Sequence, residues 1–333
     1  MPELNWGILG TGNIAGKFGC SLNAAPGQQL IAIASRSLAS AEKFRGEVGV
    51  AELRCYGNYA EMLGDEQVQA VYIALPNHLH KEWAIRCAEA GKHVLCEKPL
   101  AVNRAQAEEM ILAARQHDVF LMEAFVYRCH PMYLKLRELI AAGSIGEPRI
   151  MEGSFGYDMR AKWPDVNQNV RMHNAMGGGG LLDVGCYPVS LARMIAGCEP
   201  SACRAVAKIG ESSRVDEWAA MSLEFPNGML AALSCGMFVA MENTVTIFGS
   251  EGSIRLPVPW LTPGKQPSMI LRGKNAAGEL RFEAGVPLAQ EALHVAENIA
   301  RRQAPAMTWA DSLGNMAALD ALRRSVGLRF DCE

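Results

Sequence analysis

The segment that most restricts how this chain can fold lies within its first fifteen residues. Leu4 to Leu9 is a short uncharged run of strand character, and Gly10-Thr11-Gly12-Asn13-Ile14-Ala15 follows it directly. Ile14, Phe18 and Leu22 then recur at helical spacing. Strand, glycine turn and helix in that order form the Gly-x-Gly-x-x-Gly/Ala fingerprint of a dinucleotide site. Gly10 permits the tight turn, Gly12 lets the backbone approach a pyrophosphate, and Ala15 lets the helix pack closely on the strand. The first helical turn, with Thr11, Asn13 and Ile14 beside the glycines, then directs unpaired N–H groups at the phosphates.

The same alternation continues through the first third of the chain. Leu30–Ala34, Ala70–Leu75, His93–Cys96 and Val119–Met122 read as strands. A helix from Leu79 to Ala90 stops at Gly91, and another starts near Asn103. Apolar strands alternating with helices predict a parallel sheet of α/β type, here an N-terminal Rossmann dinucleotide-binding domain over residues 1–123. Ligands of such sheets bind at the carboxyl ends of the strands. That rule makes Leu75, Pro76, Asn77 and His80 cofactor-site candidates after one strand, and Glu97 and Lys98 after the next. The second strand ends in Ala34-Ser35-Arg36-Ser37 where an NAD site usually carries Asp or Glu. A guanidinium pairs with a 2′-phosphate and a serine hydroxyl donates to it, so Ser35 and Arg36 select NADP, with NAD as the alternative.

From about Ala124 the pattern changes. Pro131 to Ala142 is helical, with Gly143 just past its end. Strand-like runs follow at Arg149–Gly156, Cys203–Ile209, Glu217–Phe225, Met229–Met237 and Asn243–Phe248, and helices at Leu288–Arg302 and Trp309–Val326. Pro226-Asn227-Gly228 reads as a hairpin turn. These elements predict a C-terminal α+β domain over residues 124–333, with a mostly antiparallel open sheet and helices on one face. An apolar outer face on such a sheet needs a cover.

Composition agrees with two domains, since 333 residues at about 150 per domain leave room for both. The balance of 32 basic and 35 acidic residues gives no basic footprint, which excludes nucleic acid and an anionic membrane surface as expected partners. A membrane span needs about 20 apolar residues in a row. The nearest C-terminal approach, Phe225 to Met241, is interrupted by Pro226, Asn227 and Gly228. Met1-Pro2-Glu3 lacks a basic leader, and among the ten cysteines no Cys-x-x-Cys occurs. Both features set the expectation of a cytoplasmic protein with reduced thiols. No His-Glu-x-x-His is present, so no metal is expected.

Two further segments narrow the reading. Glu97-Lys98-Pro99 directly follows a strand, and Gly177-Gly178-Gly179-Gly180-Leu181-Leu182-Asp183-Val184-Gly185-Cys186-Tyr187-Pro188 lies at mid-chain. With the N-terminal fingerprint, Pro76-Asn77-His78-Leu79-His80, Glu123-Ala124-Phe125 and Arg128-Cys129-His130-Pro131, the chain resembles the glucose–fructose oxidoreductase / inositol dehydrogenase (Gfo/Idh/MocA) family over nearly its whole length. Many members have histidine where this chain has Tyr187. The tyrosine variant resembles the branch of dimeric dihydrodiol dehydrogenase, NADP-dependent xylose dehydrogenase and glucose–fructose oxidoreductase. That resemblance implies NADP, a sugar-like or vicinal-diol substrate, and a homodimer or homotetramer formed through the C-terminal sheet.

Interconverting an alcohol and a carbonyl needs a nicotinamide near the carbon, a group that moves the proton, and a positive group for the developing alkoxide. Tyr187 and Lys98 fill the last two roles, and the reverse assignment stays open. Tyrosine ionises near pH 10 unperturbed, and a nearby ammonium favours the phenolate. Pro99 restricts Lys98 toward extended geometry and admits a cis bond. Asp183 and Tyr187 are four apart and share a face if Leu181 starts a helix. Asp183 then accepts from a substrate hydroxyl or orients Lys98. Pro188 cannot bond back to Val184 as a helix requires, so a distortion beside Tyr187 is expected. The four glycines suggest close backbone approach to substrate or cofactor, and Arg171 and Trp163 before them are candidates for closing over either. A non-catalytic nicotinamide or sugar sensor, and a nicotinamide-dependent glycosidase, are the competing functions on the same fold.

Overall fold

The structure, a computed structural model, describes residues 2–161, 163, 165–261, 264–274 and 277–333. It divides into two compact units. The first comprises Met1–Ala101, Ala105–Cys129 and Gly285–Ser312, and the second Val102–Arg104, His130–Ala284 and Leu313–Glu333. The tail thus returns the segment Gly285–Ser312 to the first unit.

The first unit is built on β1 (Leu4–Leu9), α1 (Asn13–Ser21), β2 (Gln28–Ala34), α2 (Leu38–Val48), β3 (Arg54–Tyr56), α3 (Tyr59–Leu63), β4 (Ala70–Ile73), α4 (His80–Glu89), β5 (His93–Glu97), α5 (Arg104–Gln116) and β6 (Leu121–Ala124). The six strands are parallel in the order β3-β2-β1-β4-β5-β6. The order reverses between β1 and β4, which is where sheets of this kind bind their ligands. The buried centre is aromatic. Phe18 of α1 stacks on Tyr72 of β4 with ring centroids 4.0 Å apart and meets Trp6 of β1 edge-on at 5.3 Å. The Trp6 indole N–H donates to Gln28 at 3.0 Å, so this buried polar group is satisfied.

In the first unit four strands have boundaries that differ from the sequence reading. β2 starts at Gln28, β4 stops at Ile73, β5 runs on to Glu97, and β6 ends at Ala124 and starts only at Leu121. The last shift has a visible cause. Val119 donates its amide to Ala114, and Asp118 adopts φ 51°, so these residues finish α5 before the strand can start. α2, β3 and α3 are additional to the elements anticipated. They are short or only weakly patterned, and α2 is defined by local chemistry: Ser37 caps its first turn by accepting from Ser40, and Gly49 ends it in the left-handed region.

The second unit contains α6 (Pro131–Ala141), β7 (Pro148–Gly156), α7 (Cys186–Ala196), β8 (Ala202–Ile209), β9 (Asp216–Glu224), β10 (Leu230–Gly236), β11 (Val245–Gly249), β12 (Gly252–Leu256), β13 (Ser268–Gly273) and β14 (Ala277–Arg281). The eight strands run in the order β14-β13-β12-β11-β7-β10-β9-β8. Every pairing among the described strands is antiparallel except β7 with β10. The expected turn at Pro226-Asn227-Gly228 joins β9 to β10, with Gly228 at φ 85°. α7 packs on β7 and β10. Inward residues such as Met151, Met221, Leu233 and Ile247 are buried, whereas Ile150, Val206, Trp218, Leu230 and Phe248 are exposed.

Two more helices close the chain. α8 (Pro287–Asn298) belongs to the first unit, where it packs on α1, and α9 is Trp309–Ser325. Among the described residues, no helix is long and apolar enough to cross a membrane.

Candidate active site

The first unit shapes a cradle at the start of α1. Gly10 takes φ 99°, and a Cβ there would lie 2.7 Å from the Ala74 carbonyl oxygen. Only glycine fits that close crossing of two strand ends. A Cβ on Gly12 would meet nothing within 4 Å, so the surface beside it is open. α1 has no side-chain cap and no acidic residue in its first turn. Its leading amides thus have no side-chain cap competing for them, and they match the diphosphate of a dinucleotide. Thr11, Asn13 and Ile14 line this exposed or half-exposed turn, while Ala15 is buried against the sheet. At the end of β2, Ser35 is buried and its amide bonds to Tyr56, whereas Arg36 is exposed and its charge reaches the Tyr59 hydroxyl.

The carboxyl ends of β4 and β5 hold the second group of candidates. The Lys98–Pro99 peptide bond is cis. The segment Lys98-Pro99-Leu100 is held by three side chains. Glu97 accepts from the Lys98 amide at 3.3 Å and from the Tyr72 hydroxyl. Glu123 accepts from the Leu100 amide at 2.9 Å. His80, wholly buried, has Nδ1 2.9 Å from the Pro99 carbonyl and Nε2 2.8 Å from the Leu75 carbonyl. The sequence reading made His80 a cofactor-site candidate. The structure commits both ring nitrogens to backbone, and the ring joins the end of β4 to the lysine segment. Burial pulls its pKa down, while the carbonyls of Leu75, Pro99 and Leu100 push it up, and the net direction is down. The neutral ring then donates to one carbonyl at a time. Leu75 is buried, and Pro76 and Asn77 are half-buried at the start of the following helical turn. Glu123 was legible only as part of a motif; its role appears once the chain is folded.

In the second unit, Leu181–Gly185 forms a π-helical turn that leads into α7. The sequence reading put Asp183 and Tyr187 on one face if Leu181 started a helix, and expected a distortion beside Tyr187. Wide turns of this kind are frequent at functional sites. Asp183 stands in this turn with its carboxylate engaged at both oxygens. Oδ2 accepts from the Tyr157 hydroxyl at 2.7 Å, and Oδ1 pairs with Arg171 Nε at 2.8 Å. Tyr157 escaped the sequence reading because nothing in its local pattern marks it. Burial, and then the charge of Asp183, push its phenol well above the usual tyrosine range, so it stays protonated. Tyr187 sits in an aromatic slot. Its ring meets Phe155 edge-on at 5.1 Å and Trp260 edge-on at 5.7 Å, and those two stack on each other at 5.5 Å. The Trp260 N–H is fixed by the Ser154 carbonyl at 2.8 Å.

The glycine run serves packing as well. A Cβ on Gly178 would fall 2.3 Å from the Arg171 carbonyl oxygen, so that position is filled by the chain's own backbone, not by a ligand. Arg171 is thereby held twice, through its carbonyl and through its guanidinium. Trp163 is half-buried, with its amide on the Met159 carbonyl. Among the described residues, no group of three or more His, Cys, Asp or Glu side chains is arranged to hold a metal ion.

Comparison with known proteins gives this arrangement its lineage. Residues 4–125 match the oxidoreductase family with an NAD-binding Rossmann fold, and residues 133–255 match the Gfo/Idh/MocA C-terminal domain. This chain belongs to the Gfo/Idh/MocA family. As a member of that family it is an NAD(P)-dependent oxidoreductase. It is 36% identical to the uncharacterized oxidoreductase ORF334 of Rhizobium meliloti, over 98% of this chain and 97% of the relative. It is 32% identical to the trans-1,2-dihydrobenzene-1,2-diol dehydrogenase of Mus musculus, over 98% of each chain. Among solved structures it is similar to KijD10, a 3-ketoreductase from Actinomadura kijaniata in complex with NADP and TDP-benzene. That match has a TM-score of 0.88 and 30% identity, covering 97% of this chain and 98% of the other.

The clamp on the lysine segment is testable. Replacing His80 with Leu removes the ring donor from the buried Leu75 and Pro99 carbonyls and is expected to cost about 1–3 kcal/mol, read from urea unfolding. The pH dependence follows from the sign of the shift. An unfolded histidine takes up a proton below about pH 6.5, while the buried ring resists it, so wild-type stability falls as pH drops through that value. The variant is expected to lose that part of the acid-side slope, and an unchanged slope would contradict the buried neutral ring.

Proposed function

We propose that this chain uses NADP to move a hydride to or from a carbinol carbon of a sugar, sugar derivative or vicinal diol. The observation that carries this reading is full-length similarity, over 97–98% of the chain, to a dihydrobenzenediol dehydrogenase and to a ketoreductase solved with NADP, together with Arg36 at the end of β2. Arg36 is exposed, and the neighbouring Ser37 and Ser40 hydroxyls bond to each other at 2.9 Å. A guanidinium flanked by hydroxyls suits a 2′-phosphate, and the absence of a carboxylate at the same strand end removes the group that would repel it.

The bound nicotinamide supplies the hydride acceptor or donor. The chain supplies everything else. Gly10, Gly12 and the first turn of α1 hold the diphosphate. Lys98, fixed by Glu97, His80 and Glu123, presents an ammonium that stabilises negative charge developing on the substrate oxygen. Tyr187 takes the hydroxyl proton during oxidation and returns it during reduction. Tyr157 is unsuited to that task, because its hydroxyl is committed to Asp183 and burial favours the protonated form. Asp183, with Tyr157 and Arg171, forms a fixed polar group that accepts from a substrate hydroxyl. The aromatic walls, Phe155 and Trp260, suit the C–H face of a ring.

The exposed face of the second unit's sheet fits a second copy of the chain. Leu230 and Phe248 both register with Ile150, so three exposed apolar side chains lie side by side across β10, β7 and β11. Small residues, Ala220, Ser222 and Ala232, flank them and permit close approach. We read this face as the surface of a homodimer, or of a homotetramer built from such pairs.

Three measurements test these readings. Lys98→Met and Tyr187→Phe are each expected to lower kcat by about 100-fold while the KM for NADP changes little. Turnover as fast as wild type, in a screen of aldoses, polyols and diols followed at the nicotinamide absorbance, would remove the assignment. Arg36→Asp is expected to move the ratio of kcat/KM for NADP against NAD by about tenfold or more toward NAD. Phe248→Glu together with Ile150→Glu is expected to yield monomers in sedimentation, and an unchanged mass would place the interface elsewhere.

A further inference from the structure

We propose that Asp216 is a positioning residue for the reaction: from the first position of β9 it holds the start of the π-helical turn that carries Asp183 and leads to Tyr187. The proposal rests on the reading of Asp183 and Tyr187 given above, and it concerns a residue that touches neither substrate nor cofactor.

The geometry is specific. Asp216 is wholly buried. Its Oδ2 accepts from the Leu181 amide at 2.6 Å, and Leu181 is the first residue of the turn. The turn has no cap from its own chain segment, because the residue before it is Gly180. A carboxylate from a neighbouring strand supplies what a local Ser or Asp usually supplies, and the positive end of the turn favours an anion there. The glycines make room for it. A Cβ on Gly179 would lie 2.3 Å from Asp216 Oδ1, and one on Gly180 would lie 3.2 Å from Oδ2. Gly179 also takes φ 107°, which only glycine adopts freely. Asp216 thus gives a steric reason for two of the four glycines.

The consequence reaches the site within two residues. The Asp183 amide bonds to the Gly179 carbonyl at 2.9 Å, so the clamped segment and the carboxylate that holds Tyr157 and Arg171 move together. A wide turn departs from the regular amide pattern of an α-helix, and Asp216 supplies a bond to its first amide from outside the turn. Burial pushes the Asp216 carboxyl up to about 7, against the pull of the Leu181, Asp216 and Gly180 amides and of the Arg323 guanidinium. An amide of the same shape keeps an oxygen for the Leu181 amide and is a fair substitute, whereas a methyl group is not.

The test compares wild type with Asp216→Asn and Asp216→Ala by hydrogen exchange and by steady-state kinetics. Asp216→Ala is expected to raise exchange of the amides from Leu181 to Tyr187 by about tenfold or more, leaving the strand amides of β10 and β11 protected. It is also expected to lower kcat by about tenfold or more with the KM for NADP within about twofold. Asp216→Asn should restore both readouts to within about fivefold of wild type. Unchanged exchange over Leu181 to Tyr187 in the alanine variant overturns the proposal whatever the turnover. If exchange rises but kcat does not, the Tyr187→Phe variant separates the causes. A slow Tyr187→Phe enzyme then sinks the positioning role of Asp216, whereas a fast one sinks the assignment of Tyr187 and leaves the clamp itself established. If the alanine variant loosens throughout, Asp216→Ser replaces it, since its shorter side chain cannot reach Leu181; protection equal to wild type there overturns the proposal.

Discussion

The ring of Tyr72 ties the first unit together. Its apolar body stacks on Phe18 of the fingerprint helix, and its hydroxyl donates to Glu97 at the end of the neighbouring strand. One side chain thus couples the packing of α1 on the sheet to the segment that presents Lys98. The apolar part of the ring supplies burial, and the polar tip is satisfied by a carboxylate that also receives the Lys98 amide. His80 and Glu123 add bonds to the next two residues. The lysine stem is a flexible four-carbon chain, and its backbone root is held here by the hydrogen bonds of Glu97, His80 and Glu123.

The second unit solves a similar problem with carboxylates. Asp183 binds a phenol and a guanidinium, and Asp216 binds the amide that starts the same turn. Buried charges of this kind are tolerated only when their partners are in place, so the loop before the turn and the strand beside it must arrive in register. The glycine run is the steric condition for that arrival. The close contacts of Gly178, Gly179 and Gly180 are with Arg171 and Asp216 of the same chain, so these three serve internal packing.

Much of the fold was legible before any coordinates. β1, α6 and the hairpin at Pro226-Asn227-Gly228 follow directly from apolar runs and turn residues. The boundaries that slipped lie where tertiary bonding competes with pattern. β12 to β14 escaped because strands of five or six residues hold too few alternations to fix a period, and α2 escaped because its apolar positions form only a weak stripe. Of the site, Lys98, Asp183 and Tyr187 stand out through motif order. Tyr157, Glu123 and Asp216 do not, because each is an ordinary residue whose partner lies 26, 23 or 35 positions away.

The sequence by itself determined the parallel sheet, the phosphate cradle after β1 and the absence of an acidic group at the end of β2, because each depends on residues adjacent in the chain. Glycine in a tight turn and a guanidinium at a strand end carry their chemistry wherever the chain goes. Only the tertiary structure decided that His80 faces backbone, that Asp183 is shared between Tyr157 and Arg171, that the helix opens as a π turn, and that the tail rejoins the first unit. Those outcomes are settled by hydrogen bonds and packing between distant segments. Their energies depend on burial, which no local pattern encodes.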